Sequence, residues 1–335
     1  WVTLFHWDLP QALQDKYAGW ESKETPRRFA DYAAFMANRL SDRVSHFFTI
    51  NEFLCFTDLG YTGSLVYPPA KLLPAKGLNQ VRHNALLAHG LGVGAVRGHA
   101  RGPVCVGLAE NAIACVPVME TVEHVAAARA AMRERNRHFL TPVMEGRYPE
   151  SYLKAEGADA PEFSDAEMKA IGSKLDFVGI NAYSPSFVRA DASPAGFAAV
   201  PFAASHPTMN IPWLRPGPSV AYWTPRLMKE VWGVDHVVLS ENGCCSDDRV
   251  AEDGQIYDTD RLTYLRDHFV WASRAVAEGW PLKGYFVWSL LDNFEWSYGY
   301  TKRFGLFYTN YQTQERTPKL SAKFYREVIA QGKVV

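Results

Sequence analysis

Short apolar runs, each closed by polar residues and most of them followed by a helix-forming stretch, recur along this chain, and that alternation limits its fold more than any other feature. The runs cover residues 1–7, 46–50, 104–108, 175–180, 237–240 and 283–289. Helical spacing is clearest over 26–40, where Phe29, Ala30, Ala33, Ala34, Ala37 and Leu40 recur behind a first-turn Pro26. Further helices are predicted over 79–97, 122–139, 260–277 and 321–331. Strands alternating with helices are parallel strands joined by right-handed crossovers, which places the chain in the α/β class. No internal repeat or linker interrupts the pattern, so the expectation is a single domain over 1–335. Gly90, Gly92 and Gly94 do not form a dinucleotide loop: the third glycine of that fingerprint falls on Arg97 and no strand precedes. Close helix packing is their expected role. The Pro- and Gly-rich segment 193–218 reads as a long surface loop of the kind that serves as a lid.

The residues that close the runs supply the functional signal. His6, Asn51, Glu52, Asn111, Asn181, Tyr183, Glu241 and Trp288 stand at or just past the C-terminal ends of predicted strands. In a closed (β/α) barrel these ends open on one face, where active sites are built. With 35 basic against 36 acidic side chains the formal charge is −1, which gives no electrostatic footprint for nucleic acid or an anionic membrane. No apolar run reaches the ~20 residues of a membrane span. A small neutral partner fits this balance. The five cysteines, two of them adjacent at Cys244 and Cys245, have neither zinc nor disulfide spacing and read as reduced thiols, which points to the cytoplasm. No cofactor is implied.

Two of the strand-end residues are glutamates, Glu52 and Glu241. Either one alone reads as an exposed acid capping a helix. As a pair across one pocket they are the equipment of glycoside hydrolysis. At a separation of about 5–5.5 Å one attacks the sugar carbon while the other protonates the leaving oxygen; at a wider gap a water attacks instead. The stretch 283–296 points the same way. It reads as a buried strand, with Tyr285, Phe286 and Val287 in its apolar run, spilling into a loop that carries Asp292, Asn293, Glu295 and Trp296. Carboxylates and amides suit sugar hydroxyls, and a flat aromatic suits the C–H face of the ring.

Six motifs extend this pattern over nearly the whole chain. They are His6-Trp7-Asp8-Leu9-Pro10-Gln11-Ala12-Leu13, Thr49-Ile50-Asn51-Glu52, Gly146-Arg147-Tyr148-Pro149, Phe177-Val178-Gly179-Ile180-Asn181-Ala182-Tyr183, Ser240-Glu241-Asn242-Gly243, and Trp288-Ser289-Leu290-Leu291-Asp292-Asn293-Phe294-Glu295-Trp296. In kind and order the sequence resembles the β-glucosidases of glycoside hydrolase family 1. The resemblance implies a (β/α)8 TIM barrel and a retaining mechanism, with Glu52 at the acid/base position and Glu241 at the nucleophile position. It implies that His6, Asn51, Glu295 and Trp296 hold the nonreducing sugar and that Trp288 is its platform. Asn111, Asn181 and Tyr183 look like the residues that order the carboxylates, Tyr183 donating toward Glu241, and Phe304 looks like part of the pocket wall. The substrate implied is a small β-glucoside of the cellobiose kind, with galactosides and fucosides as further possibilities. Members that take 6-phosphorylated sugars tend to replace the Glu-Trp pair, because a carboxylate repels phosphate, so Glu295-Trp296 speaks for an unphosphorylated sugar. Glu52 likewise speaks for O-glycosides rather than thioglucosides.

The sequence departs from the family in three places. Phe53 stands where proline usually follows the acid/base glutamate, which frees a backbone N–H and relaxes φ there. Asn181-Ala182-Tyr183 replaces the commoner Asn-Tyr-Tyr. The run 1–7 resembles the third barrel strand, so about six of the eight βα units are represented. Eight strands close a barrel without free edges, and the expectation is therefore that roughly two more units precede Trp1 and supply a sugar-binding Gln and an Arg. Two other functions compete with a glycosidase: a non-catalytic carbohydrate-binding barrel, and a metal-dependent barrel hydrolase, for which only His6 among the histidines lies at a strand end with the site residues. Loops around 213–223 and 244–248 are expected to build the aglycone end.

Overall fold

A computed structural model describes residues 1–335. Its strands are β1 (Val2–Phe5), β2 (His46–Asn51), β3 (Cys105–Glu110), β4 (Cys115–Pro117), β5 (Val178–Asn181), β6 (Ser186–Ala190), β7 (Phe197–Ala199), β8 (Val237–Asn242), β9 (Leu282–Val287), β10 (Phe307–Thr309) and β11 (Arg316–Pro318). The chain forms two compact units. One comprises Trp1–Ala112, Arg133–Ile180 and Val234–His236; the other comprises Ile113–Met132, Asn181–Gly233 and Val237–Val335.

In the first unit β1, β2, β3 and β5 run parallel in that order. Nearly every residue of β2, β3 and β5 is buried, as expected of parallel strands covered on both faces. The helices Glu24–Leu40 and Ala75–His99 pack on one another, and among Gly90, Gly92 and Gly94 of the second helix Gly92 admits that contact while Gly90 admits the helix Asp165–Ile171. A Cβ at Gly90 would run into the Ala170 backbone, and one at Gly92 would lie 2.6 Å from the Phe29 ring, whereas Gly94 faces open space. Phe5, Trp20 and Phe56 lock β1 to the neighbouring helices, with ring centroids 5.0–5.3 Å apart. The helices Gln11–Tyr17 and Phe53–Tyr61 go beyond the sequence reading.

In the second unit β8 and β9 are parallel partners, β4, β6 and β7 form a small sheet, and β10 and β11 form a hairpin. Its core gathers Leu214, Cys244, Cys245, Leu265, Phe269, Phe304 and Phe324. Four sequence readings are corrected here. The segment 193–218 is not a plain loop: β7 lies in it, paired with β6, and Ile211 and Leu214 are buried. Residues 220–223 are not loop either, since they open the helix Val220–Trp232 with Tyr222 and Trp223 fully buried, and Cys244 and Cys245 are buried as well. Strand β9 is half-open rather than buried, with Phe286 40% exposed, because β8 covers only one of its edges. The helix expected to reach 139 stops at Arg135, since the Thr141 hydroxyl takes the Arg133 carbonyl at 2.7 Å and the chain turns through Asn136.

Candidate active site

Each of the strand-end residues keeps its place at the C-terminal end of a parallel strand. In the first unit Asn51 is the last residue of β2, and Glu52 follows it in the left-handed region at φ 46°. His6, just past β1, brings Nε2 to 3.3 Å from Asn51 Nδ2, and Trp7 Nε1–H donates to the Asn51 carbonyl at 3.0 Å. Burial pushes His6 down to about 4, with Asp8 pulling the other way, so its imidazole is neutral at neutral pH. Glu52 is 7% exposed. Its N–H donates to the Ala109 carbonyl at 2.8 Å, and the Cys55 thiol donates to Glu52 Oε2 at 2.9 Å. Asn111, one residue past β3, donates to Cys55 Sγ at 3.6 Å, so it reaches Glu52 through sulfur rather than directly. Its Oδ1 is buried with no protein partner. The Phe53 N–H, left free by the departure from proline, donates to Glu110 Oε2 at 3.0 Å.

In the second unit Glu241 is the fifth residue of β8 and 9% exposed. The Tyr183 hydroxyl donates to Glu241 Oε2 at 2.8 Å, the bond the sequence led us to expect. Asn181 accepts from the neighbouring Ser240 hydroxyl at 2.7 Å. Behind Glu241, Asn242 donates to the Ala182 carbonyl at 2.6 Å, lies 3.1 Å from the Tyr264 hydroxyl, and accepts from the Tyr285 hydroxyl. Burial raises both tyrosines well above their ordinary range, so they remain proton donors. The Trp288 N–H, one residue past β9, donates to the Asn242 carbonyl at 2.9 Å, and a Cβ on Gly243 would collide with the Trp288 carbonyl. Only glycine allows that approach. Glu295 and Trp296 lie half-buried on a turn closed by Glu295 N–H to the Gly299 carbonyl at 2.8 Å. Phe304 is buried, and the Trp213 ring stacks parallel to it at 6.3 Å while meeting Tyr183 edge-on at 5.4 Å. Trp213 thus connects Phe304 to the tyrosine that donates to Glu241.

The loops that carry these groups are braced by a buried ionic cluster that the sequence did not disclose. Lys319 Nζ lies 2.6 Å from Asp248 and 2.8 Å from Asp292, Arg261 lies 2.8 Å from Asp248 and also pairs with Asp258, and Arg303 lies 2.6 Å from Asp292. Asp248 follows β8 and Asp292 follows β9, so the cluster ties together the segments that follow Glu241 and Trp288.

Glycosyl hydrolase family 1 matches residues 1–334. The chain belongs to that family. Among its relatives, β-glucosidase A of Acetivibrio thermocellus is 37% identical over 332 residues, covering 98% of this chain and 73% of the relative. The bifunctional β-D-glucosidase/β-D-fucosidase of Bifidobacterium breve is 34% identical over 349 residues, with 98% and 74% covered. The β-glucosidase from Thermotoga maritima in complex with deoxynojirimycin superposes with a TM-score of 0.85 at 36% identity, covering 99% of this chain and 74% of that one. As a member of family 1, the chain is a glycoside hydrolase with the (β/α)8 barrel fold, and its parallel strands with polar C-terminal ends are part of that barrel.

Proposed function

We propose that this family 1 hydrolase is a retaining β-glycosidase that removes terminal nonreducing β-D-glucosyl residues from small glucosides and oligosaccharides, with Glu241 as nucleophile and Glu52 as acid/base, in a single catalytic domain. In the first step a Glu241 oxygen attacks the anomeric carbon, the bond to the aglycone oxygen breaks, and that oxygen takes the proton of Glu52. In the second, Glu52 removes a proton from water, which displaces Glu241 and releases the sugar with its configuration retained. His6, Asn51, Glu295 and Trp296 hold the sugar, and Trp288 underlies it. The observation that carries this reading is the Tyr183 hydroxyl on Glu241 Oε2 at 2.8 Å: a hydrogen bond donated to a carboxylate favours its charged form, the form in which it attacks. The names of the relatives support glucose as the sugar, and the Bifidobacterium breve enzyme supports fucose beside it.

Glu241→Ala is expected to lose all measurable turnover on every substrate. Glu52→Ala is expected to spare the first step for an activated aryl β-glucoside, and azide then restores turnover with a β-glucosyl azide as product. An α-azide from Glu52→Ala would reverse the two roles.

A further inference from the structure

The residue after Glu52 is one of the places where this chain departs from the pattern of its family, and its amide has a partner there. Phe53 is fully buried and opens the helix Phe53–Tyr61. Its N–H, which a proline would lack, donates to Glu110 Oε2 at 3.0 Å. Glu110 is the last residue of β3 and only 3% exposed. One residue earlier, the Glu52 N–H donates to the carbonyl of Ala109 at 2.8 Å. Two consecutive amides, those of Glu52 and Phe53, are therefore gripped by two consecutive residues of one strand. The grip acts where the backbone needs it. Glu52 holds φ at 46°, a region that a residue with a side chain keeps only when its surroundings enforce it. A proline at the next position would restrain the chain there through its ring, and phenylalanine brings no such restraint.

We propose that Glu110 is a positioning residue for Glu52, holding the backbone of the acid/base glutamate through the Phe53 amide in place of proline's covalent restraint. The proposal rests on the reading of Glu52 as acid/base. The charge around Glu110 is consistent with it. Burial pushes Glu110 up to about 8, against the pull of the Phe53 N–H and with Glu52 and Asp58 adding to the rise. Asp58 is paired with Arg82, Cys55 donates to Glu52, and His89, whose ring lies 6.2 Å from that of Phe53, is kept uncharged by its own burial. Keeping its proton at neutral pH, Glu110 grips the amide without setting a second negative charge behind Glu52 after Glu52 has released its own. A carboxyl buried at this point would otherwise be a liability.

The test uses leaving groups, because only a poor one needs the acid. In Glu110→Ala, kcat/KM for cellobiose or an alkyl β-glucoside is expected to fall about 10- to 100-fold, a fraction of the roughly 10²–10⁴-fold that general acid catalysis contributes, while that for a dinitrophenyl β-glucoside falls less than about threefold. Glu110→Gln keeps an oxygen for the Phe53 N–H and is expected to stay within about threefold of the unaltered enzyme on both. Adding Phe53→Pro to Glu110→Ala removes the orphaned N–H and restores the covalent restraint, and is expected to recover the alkyl glucoside rate. Equal losses on the two substrates, or no recovery with proline, would overturn the proposal, and so would an unchanged Glu110→Ala. Azide rescue of Glu52→Ala separates the two levels: if it succeeds while Glu110→Ala shows equal losses, the positioning role alone fails, and if it gives no β-azide, the reading of Glu52 fails and takes this one with it.

Discussion

Glu52 and Glu241 both stand at the ends of parallel strands, yet the groups around them differ in kind. At Glu241 a phenolic hydroxyl meets the carboxylate at 2.8 Å, and behind it the Asn242 amide is held by the Ala182 carbonyl and the hydroxyls of Tyr264 and Tyr285. At Glu52 the grip is on the backbone, through Ala109 and through Glu110 on the next amide, and the side chain meets the softer thiol of Cys55 at 2.9 Å. The proposed chemistry accounts for the contrast. A nucleophile must be ionised and aimed, so a strong donor on its oxygen helps it. An acid/base must take up and release a proton within each cycle, and a hard donor fixed on its carboxylate would hold it in one state. Fixing its backbone places it without acting on its proton.

The largest effect expected from this contrast lies in the bracing. Lys319, Asp248, Asp292 and Arg261 have fully buried side chains, whereas the Arg82–Asp58 pair behind Glu52 is partly exposed, at 13% and 19%. Removing one partner of a buried set leaves charge uncompensated, so Lys319→Met is expected to cost about 3–5 kcal/mol of unfolding free energy. Arg82→Met is expected to cost less, nearer the ~1 kcal/mol of an exposed pair. Urea unfolding of both variants measures the difference, and equal costs would show that the two glutamates are braced alike.

How much of this was legible in the sequence divides along the same line. The strand ends were, because an apolar run closed by Asn51-Glu52 or Glu241-Asn242 needs only local pattern to be seen, and Tyr183 on Glu241 followed from the family resemblance. The helix Val220–Trp232 was not, because Pro225 inside it and the aromatic residues at its start read as loop, and burial of Tyr222 and Trp223 decided otherwise. Strands β6 and β7 were too short to show a period. The run 104–108 stops two residues short of Glu110, whose importance depends on an amide 57 positions away, and pairing at that distance has no local signature. The ionic cluster was hidden for the same reason: Lys319 and Asp248 are 71 residues apart. Phe53 was the clue that could have been followed, since a freed N–H in a buried place must find an acceptor.

A smaller effect is expected at Tyr183. Tyr183→Phe removes the hydroxyl from Glu241 and leaves the ring against Trp213. A hydrogen bond to a charged group contributes about 1.5–3 kcal/mol, so kcat/KM is expected to fall about 10- to 100-fold. Because the bond serves the nucleophile, the loss should be the same for activated and unactivated leaving groups, the opposite of the pattern expected for Glu110→Ala. Pre-steady-state kinetics with a dinitrophenyl β-glucoside would show the slowing in glycosylation. A loss confined to poor leaving groups would mean that the hydroxyl serves the acid and that the contrast between the two sites is drawn wrongly.

Per pH unit the smallest effect is the one most diagnostic of Glu110, because it is read from stability alone. Burial raises this carboxyl from its ordinary 4.5 to about 8, so over that interval the unfolded chain has lost a proton that the native chain keeps. The native state then binds more protons than the unfolded one, and native stability must decline as pH rises, by at most about 1.4 kcal/mol per pH unit from this group. Below about 4.5 both states are protonated and the penalty vanishes; above about 8 both are ionised and it stays constant. Glu110→Gln cannot titrate. The stability of that variant relative to the unaltered protein is therefore expected to rise steadily between pH 4.5 and pH 8 and to level off beyond, whatever its offset at low pH. Thermal melts of the two proteins across this range measure it. A constant offset at every pH would mean that Glu110 is already ionised in the native state, and the grip on Phe53 would then be that of a second carboxylate charge lying behind Glu52.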